Sequence, residues 1–143
     1  MINQYRGIVI AILIFSCVIL VGIGHGGVPI IMIEVGLPFL KELKFSFDPT
    51  DSFKDTIAAG ALFLLIGQLL LFISTHKLNL LMRLIAISIM WIGFYYLVHN
   101  IFANEGSGFT FATGSPFLIL SMVLFSFDIR QYLQRNKTDS DLE

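Results

Sequence analysis

Residues 8–33 read IVIAILIFSCVILVGIGHGGVPIIMI, a run without a single Lys, Arg, Asp or Glu. Three further stretches, 57–73, 84–104 and 116–127, share that property, and the ten acids and nine bases lie between or beside them. A charge inside hydrocarbon costs several kcal/mol or more, so segments of this kind are written for a membrane. Roughly 20 residues of helix cross a hydrocarbon core of about 30 Å. The pattern predicts an all-α integral membrane four-helix bundle in one domain over residues 1–135, followed by a disordered cytoplasmic tail at 136–143.

Composition narrows the function classes. The chain has 143 residues, 56% of them hydrophobic, and four spans leave only short loops, a first connection and the tail. A soluble catalytic or nucleotide-binding domain does not fit, and the sequence holds no self-contained catalytic motif. Cys17 is the one cysteine, which excludes an intramolecular disulfide and thiol-relay chemistry. A net charge of −1 gives no argument for nucleic acid. The apolar run continues past Cys17, so the first run reads as a retained span, starting near Gly7 or Ile8, and not as a cleaved signal.

Within the first run, Gly22, Gly24, Gly26, Gly27 and Pro29 would each weaken a helix. The helix is therefore expected to kink or end there, with Ile30–Ile33 as a bent or interfacial extension. Gly22 and Gly26 are also spaced for close helix contact. From Glu34 to Thr56 the mixture of Pro38, Pro49, charges and Phe/Leu pairs predicts an interfacial amphipathic segment between helices 1 and 2. Gly60, Gly67 and Ser74 recur every seven residues in the second run and suit close approach by another helix. A tight turn follows at Ser74–Asn79. The Gly-rich stretch 104–114 predicts a loop, with Ser115-Pro116 opening the fourth helix.

Basic residues orient the bundle. With the N-terminus inside, Arg6, Lys77, Arg83, Arg130, Arg135 and Lys137 fall on the inner face, against Lys41, Lys44 and Lys54 outside. The expected location is the inner (plasma) membrane, with both termini cytoplasmic.

The candidate ligand-binding residues are His25, His99, Tyr95, Trp91 and Glu105. His25 and His99 come near the outer ends of two helices, where they could line one pocket roofed by Glu34, Glu42 and Glu105. Histidine titrates near neutral pH and binds metals, although interfacial hydrogen bonding explains the pair as well. Ser88, Trp91, Tyr95 and His99 fall on one helical face, a stripe that could stack on a flat ring such as a quinone or simply pack in an aromatic belt. Gln68 should bond to another helix, and Asp128 to Arg83 or Arg130, both in structural roles. Proton-coupled exporters of this size use a carboxylate inside the membrane, and none of the four runs carries one.

The order of features resembles the DoxX-like superfamily of small four-span bacterial membrane proteins over most of residues 7–127. The resemblance rests on Gly24-His25-Gly26 ending the first span, a Gly-rich second span closing on Thr75-His76-Lys77-Leu78, and Val98-His99-Asn100-Ile101-Phe102 ending the third. A Gly-rich loop and Pro116 complete it. It implies a subunit of a membrane oxidoreductase complex with a membrane or redox partner, in which the pocket around His25 and His99 in the outer leaflet could admit a quinone-like molecule. The residues themselves name no cofactor and no metal site. They leave open a structural or assembly protein, bound to a partner or to itself through small-residue helix faces, and a small transporter.

Overall fold

The structure is a computed structural model of the chain and describes residues 2–23, 26–37, 46–48, 53–77, 79–99 and 105–140. Within them lie helix α1 (Ile2–Cys17), strands β1 (Leu20–Ile23) and β2 (Gly26–Pro29), a short helix α2 (Ile30–Gly36), and helices α3 (Phe53–Lys77), α4 (Leu80–Val98) and α5 (Glu105–Ser140). The fold is mostly helical, as the charge-free runs predict. Three helices, within Thr56–Thr75, Leu80–Val98 and Glu105–Gln134, are long and apolar enough to cross a membrane. The first run supplies no fourth such helix. Its apolar helical part, Tyr5–Cys17, is shorter, and the rest of the run folds differently.

That difference is the main correction to the sequence reading. The helix ends, one of the two expected outcomes, already at Cys17, and the chain then reverses in an antiparallel hairpin pairing Leu20 with Pro29 and Ile23 with Gly26. Strand backbone in an apolar bundle must find partners, because an unsatisfied amide there costs several kcal/mol. The open edge of β1 finds them on α5. Leu20 N–H donates to Thr113 Oγ1 at 3.2 Å, and Gly22 N–H to Thr110 Oγ1 at 3.3 Å. The Thr113 hydroxyl in turn donates to Leu20 C=O at 3.1 Å. Across from Leu20, Pro29 has no N–H to leave open on the other edge. Gly22 makes the approach possible, since a Cβ there would lie 2.5 Å from Gly106 Cα.

The helix that receives the hairpin begins earlier than expected. Residues 105–114 are helical and not a loop, and Pro116 lies inside α5. Proline removes the N–H that would bond to the carbonyl four residues back. Ser115 Oγ donates to that carbonyl, Ala112 C=O, at 2.9 Å. α5 also runs through Ser140, into the segment expected to be a tail.

Packing between α3 and α4 uses small residues. A Cβ on Gly93 would come 2.8 Å from Gly60 O, so the two backbones are in direct contact. The small-residue stripe of α3 is thus occupied inside the chain. Asn79 caps α4, its Oδ1 accepting Met82 N–H at 3.4 Å. Ile12, Ile19, Ile30, Leu64, Ile87, Met90 and Phe117 fill the core between the helices and the hairpin. Of the expected amphipathic segment, residues 38–45 and 49–52 lie outside the described residues. The described part, Ser46–Asp48, meets α4, where Tyr96 Oη donates to Phe47 C=O at 2.7 Å and the Tyr96 ring stacks on Phe63.

Candidate functional site

Because the hairpin reverses the chain, β2 and α2 return toward the middle of the bundle. Tyr5 meets Gln131 near one end of α5, and Gly22 meets Gly106 near the other. At 1.5 Å per residue those levels are about 37 Å apart, enough for α1 and β1 together to traverse a bilayer core. Ser16 lies about 16 Å up α1 from Tyr5, close to mid-height. The chain descending through α2 brings Glu34 to that level.

Ile30 and Ile33 anchor α2 in the core, and the same face buries Glu34, which is 3% exposed. Gln68 on α3 reaches both neighbours with one nitrogen: Nε2 donates to Glu34 Oε1 at 3.1 Å and to Ser16 Oγ at 3.2 Å. The Ser16 hydroxyl proton is used on Leu13 C=O at 2.9 Å, so its oxygen presents lone pairs to the amide. Three segments of the chain thus converge through one carboxyl, one amide and one hydroxyl. Among the described residues no cation sits against Glu34, and the titratable neighbour is the half-buried Cys17. Residues Ile30–Gly36 are too few to span a membrane.

A second buried polar cluster lies near the other end. Arg83 holds Asp128 in a two-pronged ion pair, Nε to Oδ2 at 2.6 Å and Nη2 to Oδ1 at 2.5 Å. Asp128 is 0% exposed. The guanidinium also lies over the Tyr5 ring at 5.5 Å, and Tyr5 Oη accepts from Gln131 Nε2 at 2.6 Å. This cluster ties α1, α4 and α5 together and leaves neither charge without a partner.

The residues singled out from the sequence fall in different places. Trp91 donates from Nε1 to Ser121 Oγ at 2.8 Å and packs on Phe125, between α4 and α5. Tyr95 is 55% exposed on the outside of the bundle. His99 caps the end of α4 with Nδ1 2.9 Å from Tyr96 O, its ring beside Tyr95. Glu105 is exposed in the first turn of α5. His25 and Glu42 lie outside the described residues. Glu34 does not roof the outer end. It is part of the interior, whereas the sequence reading places it at the outer surface. A signal for it existed: Gly/Pro-interrupted apolar segments are where membrane carriers place their sites, and Glu34 ends such a segment directly.

Comparison with protein-family models, with curated proteins and with solved structures gives no match for this chain.

Proposed function

We propose that the protein is a small polytopic membrane protein of the carrier type, in which Glu34 takes up and releases protons inside the bundle. The observation that carries this reading is the burial of Glu34 at mid-height against Gln68 and Ser16, with no cation against it among the described residues. An ionisable group in such a place marks ion and proton pathways by default. A broken segment delivering it fits the same class, since carriers form their sites near the midplane from discontinuous helices. In this reading the chain crosses the inner membrane four times, α1 with β1 making the first crossing, and both termini are cytoplasmic.

Hydrophobic carbodiimides react with a carboxyl in its protonated form, which makes the reading testable on the purified full-length protein. Labelling of Glu34 that falls as pH rises, and is absent in Glu34→Gln, is the expected result. No Glu34 labelling at any pH would overturn the proposal. Bound quinone or haem, or a copurifying redox subunit, would instead support the membrane-oxidoreductase reading that the DoxX-like layout implies.

A further inference from the structure

We infer that the Glu34 pocket is also a binding site for an alkali-metal cation, with Na+ and a proton competing for the same carboxylate. The inference rests on the carrier reading and names the ion of that same site. Gln68 Nε2 occupies a point bounded by Glu34 Oε1 at 3.1 Å and Ser16 Oγ at 3.2 Å, both lone-pair donors. Turning the amide over puts Gln68 Oε1 on the same side, so that carboxylate, amide carbonyl and hydroxyl oxygens face one point. Oxygen sets of this kind suit hard cations, which bind carboxylate and carbonyl ligands.

The surrounding backbone favours the same charge. α1 ends at Cys17, one residue beyond Ser16, and a helix C-terminus presents unpaired carbonyls and the negative end of its dipole. Half-helix C-terminal ends coordinate Na+ in membrane carriers for that reason. Among the described residues, the groups facing Glu34 leave the carboxylate uncompensated. α3 contributes Gln68, α1 contributes Ser16 and the Cys17 thiol, and β2 carries no titratable residue. Arg83, the buried base of the bundle, is engaged by both oxygens of Asp128. The exchange balances in charge: the acid form of Glu34 and one Na+ give the carboxylate–Na+ pair and one released H+.

Carbodiimide labelling at a fixed, mildly acidic pH, in NaCl, KCl or choline chloride at equal ionic strength, tests this. At a Na+ concentration about ten times its Kd, labelling of Glu34 is expected to slow about tenfold relative to choline, because only the unoccupied protonated site reacts. Protection by K+ as well supports an alkali-cation site. Ser16→Ala and Gln68→Leu should each still label at low pH and lose the protection; agreement of either variant suffices if the other does not fold. Equal rates in Na+, K+ and choline overturn the cation site while leaving the proton reading intact. Absence of Glu34 labelling in every salt overturns both.

Discussion

Among the described residues the bundle buries two carboxyls, and it treats them in opposite ways. Asp128 meets a guanidinium with both oxygens, and a tyrosine ring covers that guanidinium from the other side. Glu34 meets an amide that it shares with a serine. A fork-to-fork ion pair fixes charge and geometry together. A carboxyl held by neutral donors keeps its place in either protonation state, because an amide can serve the acid as acceptor and the anion as donor. The first arrangement locks helices to one another. The second holds its carboxyl without fixing its charge.

Breaking the ion pair should have the largest effect. Asp128→Ala strands Arg83 in the interior, and removal of one partner of a buried pair costs about 3–5 kcal/mol. Thermal unfolding in detergent is expected to show a large drop in Tm for Asp128→Ala, whereas Glu34→Gln, which keeps shape and hydrogen bonding, should leave Tm at or above the wild-type value. Equal losses in the two variants would erase the distinction between the sites.

The hairpin that carries Glu34 inward offers a smaller test. Thr113→Val keeps the volume but withdraws the acceptor from Leu20 N–H, and an unsatisfied buried amide costs about 1–3 kcal/mol. Limited proteolysis or hydrogen exchange should report local opening around residues 20–29 with the Arg83–Asp128 end unchanged. Uniform loosening of the whole bundle would show that the hairpin is not a separable element.

The contrast between the two sites was only partly legible in the sequence. Run 57–73 and the part of run 84–104 up to Val98 are helical as expected, since unbroken apolar residues with few Gly and no Pro leave a bilayer segment little alternative. The hairpin was not legible, because its stability depends on Thr110 and Thr113, roughly ninety residues away in sequence, and nothing local to Gly22–Pro29 announces those hydroxyls. The early start of α5 was hidden for the same reason. Gly106, Gly108 and Gly114 look like loop residues until Gly106 is seen pressed against Gly22. Glu34 then followed the hairpin: a helix continuing outward places it at the membrane surface, and a reversal places it in the core.

The protonation state of Glu34 is where the account is most exposed, and infrared difference spectroscopy reads it directly. Burial with neutral partners disfavours the charged form. Spectra of wild type minus Glu34→Gln across a pH titration should contain the carbonyl stretch of a neutral carboxylic acid near neutral pH, fading as pH rises. A spectrum with no neutral-acid band attributable to Glu34 at neutral pH, or one that does not change with pH, would contradict a proton-exchanging site at the centre of this bundle.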